Sequence, residues 1–214
     1  MGLSIKTCYT VKIQKQLDAT QDKTTEKLNI ARKRAVDSRL MRQTSLICLE
    51  ALKFCVSVIS EEWDTIMGVE SKLRKRLIDT LVHRTKTAAP KYPEFDLKFP
   101  KMPGYTRRAI IADAFGMVKS YRSNHKNWKE TPPMERGAEP TLGIPSRYEL
   151  TFYDQERKMS CLADSQIGLK LYNGKTWNWY YFQIRPSDAK QISRLSKTRK
   201  MLSPICLLYT SDAA

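Results

Sequence analysis

Two tryptophans, three tyrosines and a phenylalanine fall within the fourteen residues LYNGKTWNWYYFQI, positions 171–184, with Lys175 among them and Lys170 just before. Period-two alternation on either side of Asn173-Gly174 predicts a β-hairpin, because a two-residue type I′ turn needs positive φ at both central positions and Asn-Gly provides it. That turn sets Tyr172 opposite Lys175 and Lys170 opposite Trp177. Leu169, Leu171, Phe182 and Ile184 then share one face, and Lys170, Tyr172, Lys175, Trp177, Trp179 and Tyr181 share the other. Rings interleaved with ammonium groups can stack on bases while pairing with phosphates, and each stacked base contributes roughly 1–3 kcal/mol. The same rings could instead fill a core against neighbouring helices, as aromatics do in small barrels. Both uses stay open at this point.

Further basic groups recur at helical spacing. In TRRAIIADAFGMVKSYRSNHKNW, which starts at Thr106, Arg108, Lys119, Arg122 and Lys126 lie within about 60° of one another at 100° per residue. They form a ridge able to follow a phosphate backbone, or a solvated face beside a core stripe of Ile111, Ala114 and Val118. Phe115 sits among the cations and needs a place in either case. Arg32, Lys33, Arg34, Arg39 and Arg42 make a denser cluster with only Asp37 inside it, and such crowding disfavours a helix unless an anion neutralises it. A third set, Lys190, Arg194 and Lys197, follows Ser187, read as an N-cap.

Recognition chemistry is therefore well supplied, and catalytic chemistry is not. His83 and His125 are the only histidines, and Cys8, Cys48, Cys55, Cys161 and Cys206 form no Cys-x-x-Cys pair, so no zinc spacing exists. No Ser/His/Asp set or phosphate-binding glycine loop occurs either, and no catalytic or metal-binding residue is assigned. The cysteines read as reduced thiols of a cytoplasmic protein. Cys48 and Cys55, seven apart in an apolar stretch, are expected on one buried helix face. The formal charge of +16, from 38 Lys and Arg against 22 Asp and Glu, points to a polyanionic partner, nucleic acid ahead of an acidic membrane.

The elements that must position these groups follow from periodicity. SIKTCYTVKI, residues 4–13, alternates as an N-terminal strand. Residues 22 to 67 read as helical and stop at Gly68, a C-cap. Within them LICLEALKFCVSVIS is too short for a membrane span and carries Glu50 and Lys53, so it is expected to be a buried helix. A helix from Glu70 to His83 repeats Leu73, Leu77 and Leu81 every four residues. APKYPEFDLKFPKMPG holds four prolines and reads as a connector over a surface. Thr106 is expected to cap the next helix, and TPPMERGAEPTLGIPS ends the helical region. RYELTFYD and MSCLA then read as strands before the hairpin. A strand, a helical block and further strands predict an α+β fold in which the first strand joins the later ones.

GYTRRAIIADAFGMVKSYRSNHKNW (104–128), IPSRYELTFYD (144–154) and KLYNGKTWNWYYFQIRPSD (170–188) together resemble, in order and spacing, the TnpB proteins, transposon-encoded RNA-guided endonucleases of the "transposase" OrfB type. The resemblance runs from the N-terminus to about residue 200 and is weakest over 13–70. It implies a wedge-type β-barrel interrupted by an inserted helical recognition domain, the two binding guide RNA and target DNA. The implied division is residues 1–14 for the first barrel strand, 15–130 for the helical domain, 131–147 for a Pro/Gly-rich linker and 148–203 for the rest of the barrel with a short basic helix. Cleavage belongs in that family to a RuvC-like domain holding Mg²⁺, usually with a zinc ribbon, so Mg and Zn are expected there and no cofactor within these residues. Residues 204–214, CLLYTSDAA included, look like read-through appended to a chain cut before that domain. The nucleic-acid-binding residues so expected are Arg32, Arg39, Arg42, Arg108, Lys119, Arg122, Lys126, Lys170, Tyr172, Lys175, Trp177 and Trp179. No membrane and no small-molecule substrate is expected. The alternative is a small non-enzymatic nucleic-acid-binding protein, a regulator or RNA chaperone.

Overall fold

The computed structural model describes residues 15–17, 34–35, 38–86, 88–152, 157–158, 164–197 and 205–206. The predicted strand at 4–13 and the MSCLA strand lie outside the described residues. Two long helices form the centre: α1 (Ser38–Glu61), continued by the short α2 (Trp63–Met67), and α5 (Gly104–Glu130). Between them come α3 (Arg74–Val82) and α4 (Glu94–Lys98). Strands β1 (Lys15–Leu17) and β2 (Arg34–Ala35) precede the helices, while β3 (Thr151–Phe152), β4 (Arg157–Lys158), β5 (Gln166–Tyr172) and β6 (Trp177–Gln183) follow them. Helix α6 (Pro186–Lys197) and strand β7 (Ile205–Cys206) complete the order. The fold is α+β.

The apolar stripe of α1 drives the packing. Cys48, Ala51, Leu52, Cys55 and Ile59 are buried, as are Ile110, Ile111, Ala114 and Val118 of α5, and the two helices pack together in one continuous core. By length and composition Leu40–Glu61 could cross a membrane, but its apolar face is spent on this interior. Both α1 cysteines are buried as expected, and burial, aided by the Asp79 carboxylate, pushes the Cys55 thiol up to about 12. Gly68 does cap α2, donating its N–H to Asp64 O at 2.9 Å.

Four local expectations are corrected. Arg34 and Ala35 pair with β1 rather than extending a helix, so the basic cluster is split between a strand and α1, which relieves the crowding of like charges. Pro103, not Thr106, precedes α5, and no side chain caps that end. Pro186 opens α6, which leaves Ser187 inside the first turn; proline suits that position because its missing N–H has no partner there. The proline-rich connector is not laid over a surface: Phe95, Phe99 and Met102 enter the core, and Phe54 meets Phe95 and Phe99 edge-on at 5.6 and 6.2 Å. In α3 the fully buried residues are Ile78 and Val82, with Leu77 and Leu81 beside them and Leu73 at 43 % exposure, so the leucine repeat marks the flank of the buried face.

The sheet runs β2-β1-β6-β5-β4, all pairs antiparallel, so a strand from before the helices is hydrogen-bonded to the hairpin after them. A separate pair joins β3 to β7, inside the segment read from sequence as an appended tail. The hairpin itself departs from the two-residue turn. Tyr172 pairs with Trp177 and Lys170 with Trp179. Asn173 Oδ1 accepts the N–H groups of Lys175 (3.0 Å) and Thr176 (2.9 Å), and Asn173 N–H donates to Thr176 O (3.1 Å), closing a four-residue loop in which Gly174 has φ +92°. The register therefore moves by two positions, which keeps the strand side chains on their predicted faces but leaves Lys175 in the loop. Ile167, Leu169, Leu171, Phe182 and Ile184 are buried, and β5 packs on α1.

Candidate nucleic-acid interface

Helix α1 holds the hairpin by its backbone. Thr44 Oγ1 accepts Tyr172 N–H at 3.0 Å and donates to Leu40 O at 2.8 Å, while Ser45 Oγ donates to Tyr148 O at 2.7 Å. Both hydroxyls are buried, so each satisfies main-chain groups that water cannot reach. A methyl group placed on Gly174 would lie 3.6 Å from Gln43 Nε2. The first turns of α1 and the hairpin loop thus lie side by side, with Arg42 exposed on the former and Lys175 exposed on the latter.

On the hairpin's second face the residues separate by burial. Trp177 is 7 % exposed, packs 5.5 Å from the Tyr172 ring, and its indole N–H is buried without a hydrogen-bond partner among the described residues. Trp179 is half-buried, with the Lys170 ammonium 5.9 Å from its ring centre, a cation–π distance. Tyr172, whose hydroxyl donates to Gly174 O at 2.9 Å, and Tyr181 are half-buried as well. Lys170 thus shares this face with the half-open rings of Tyr172, Trp179 and Tyr181.

The four predicted cations of α5 are exposed but differ in what they touch, whereas Arg107 on the same helix is largely buried in an ion pair with Asp79 at 2.7 Å. Arg108 donates Nε to Gly104 O at 3.0 Å and lies 4.5 Å from the Tyr105 ring; Lys126 approaches Glu130 at 3.6 Å. Arg122 donates to Ser60 O at 3.1 Å and stacks 4.9 Å from Trp63, whose own ring stacks on Phe115 at 6.0 Å. Phe115 therefore belongs to an α2–α5 contact, and the middle of the ridge is partly used in joining helices. Lys119 is exposed. Arg39 stands in the first turn of α1, and Arg32 lies outside the described residues.

A second aromatic run escaped the reading from sequence. Tyr121, His125 and Trp128 follow one another along α5 at 5.6 and 5.9 Å, and Arg136 lies 5.0 Å from the Trp128 ring. Trp128 Nε1 donates to Gly137 O at 2.9 Å, and His125 Nε2 meets Glu139 Oε1 at 3.0 Å. These bonds pin the strap 131–147 along the helix. The four- and three-residue steps from Tyr121 to Trp128 were the available signal. Among the described residues no group of three His, Cys, Asp or Glu side chains could hold a metal ion.

A protein-family model described as the Aq_aa04 family matches residues 24–173, more than half of the chain. The chain belongs to the Aq_aa04 family. The region shared with Aq_aa04 proteins runs through all five helices from α1 to α5 and the strap, and it ends at Asn173 in the hairpin loop. Comparison with curated proteins found no match, and comparison with solved structures found none.

Proposed function

We propose that this chain is the guide-RNA- and target-DNA-recognition portion of a TnpB-like RNA-guided DNA endonuclease, a transposon-encoded system in which cleavage belongs to a RuvC-like part. The observation that carries the reading is the half-open face of β5 and β6, where Lys170 lies over Trp179 beside Tyr172 and Tyr181. A charge of +16 and the sequence resemblance over residues 104–188 support it. In this reading the sheet is part of a wedge-type β-barrel and the helices between β1 and β3 are a recognition domain inserted into it. The pairing of β1 with β6 is the arrangement such an insertion needs. The protein works in the cytoplasm and grips RNA by shape and phosphate contacts, while base pairing between guide and target reads sequence.

The test is binding of fluorescein-labelled RNA transcribed from the protein's own locus, followed by anisotropy, for the full chain and its Trp179→Ala variant. Loss of one stacked ring weakens binding about tenfold, within the roughly 1–3 kcal/mol that a stacked base contributes, and leaves the melting temperature nearly unchanged. Equal affinity of the variant and the parent would remove the platform from the reading.

A further inference from the structure

Between α5 and the strap runs a groove of about 560 Å³, bounded by Asp113, Gly116, Ser120, Tyr121 and Asn124 on the helix and by Leu142 on the strap. Gly116 stands in the middle of a 27-residue helix, where glycine costs about 1 kcal/mol relative to alanine. Among the described residues nothing requires it, because a Cβ built there meets no atom within 4 Å and the backbone is ordinary helix. A helix backbone left bare towards an open groove lets a flat group approach closely. Its surroundings say which kind. Tyr148 donates its hydroxyl to Asp113 Oδ2 at 2.8 Å, so the carboxylate is held in place, and Ser120 and Asn124 add further exposed hydrogen-bonding groups. Tyr121 is half-buried at the groove and packs on His125, offering a ring at the start of an aromatic run. At 100° per residue Asp113 and Lys119 fall on opposite sides of Gly116, each about 60° away. An acceptor on one side and a cation on the other match a nucleotide laid across the helix, its base towards Asp113 and its phosphate towards Lys119.

We infer that this groove takes an unpaired nucleobase bearing amino donors, guanine best, from single-stranded nucleic acid. A carboxylate can accept both the N1–H and the exocyclic amino group of guanine, whereas uracil presents a single N–H between two carbonyls. The inference rests on the nucleic-acid reading above and adds a site to it.

Gly116→Leu tests it, because leucine favours the helix, its Cβ meets no described atom within 4 Å, and the position lines the groove; Ser120→Leu is a second filler from an exposed position. Affinities are measured for a short guanine-containing single-stranded RNA, a uracil-only RNA of equal length and a duplex of the same sequence. The expected result is about tenfold weaker binding of the guanine-containing strand by both variants, with duplex and uracil-only affinities unchanged and thermal stability kept or raised. Unchanged affinity for the guanine-containing strand, or equal losses for all three probes, overturns the groove as a base site while leaving the platform intact. If the parent chain binds none of the probes, the nucleic-acid reading itself fails.

Discussion

Trp177 and Trp179 sit two residues apart on the same face, yet their surroundings assign them opposite costs. Removing Trp177, 7 % exposed and packed against Tyr172, leaves a cavity and should cost about 3–5 kcal/mol in urea unfolding. Trp177→Phe should cost much less, because it keeps most of the ring and deletes an indole N–H that is buried without a partner among the described residues. Trp179→Ala should cost little, since that ring is already half in water. Similar destabilisation by the two alanine variants would contradict this division. Alternation in the sequence put both rings on one face correctly. It could not distinguish their burial, because burial depends on which strand or helix closes over each end of the face. Phe115 is a parallel case: its place among the cations of α5 was legible, but its partner Trp63 comes from another element.

At the scale of elements, local patterns survived wherever one interaction dominated. The hairpin's faces followed from period two, but its loop length did not follow from Asn-Gly, because the Asn173 carboxamide captures two downstream N–H groups and builds a wider turn. The connector misled for a related reason. Its prolines forbid a long helix, as read, yet five residues of α4 are enough to bury Phe95. A polar pin holds that connector to the α1–α2 junction: Lys91 and Tyr92 both donate to Glu62 Oε1, Tyr92 at 2.8 Å. These hydrogen bonds hold the Glu62 carboxyl below the usual carboxylate range, and the pairing with Glu62 raises the Lys91 ammonium. With its native pKa depressed, Glu62 contributes stability that is fully present above its unfolded pKa of about 4.3 and is lost as pH falls through the native value. Urea unfolding at neutral pH and near pH 4 should therefore show a steeper acid loss for the parent than for Glu62→Gln. Identical acid dependence in the two proteins would mean that the pin carries no weight.

For the whole molecule, composition and element order were enough to place an α+β fold and a buried α1. The topology of the sheet was less legible: the strand read at 4–13 lies outside the described residues, and the early strand that pairs with β6 is β1, at residues 15–17, inside the range expected for the helical domain. The groove beside Gly116 was not legible, because it arises from a strap with only one short 3-10 turn, Pro133–Glu135, which contacts at Arg136, Gly137 and Glu139 hold along α5. Such contacts have no period. A net charge of +16 makes phosphate neutralisation the dominant energetic term of the proposed function, and that term has a direct readout in salt. The decisive measurement is the affinity of the 214-residue chain for RNA from its own locus, against a scrambled RNA of equal length, as a function of salt. The account predicts a preference for the locus RNA and a linear fall of log affinity with log salt, amounting to about 10³-fold between roughly 50 and 200 mM if some six phosphates are contacted. Affinity that is flat in salt, or equal for the two RNAs, would contradict it.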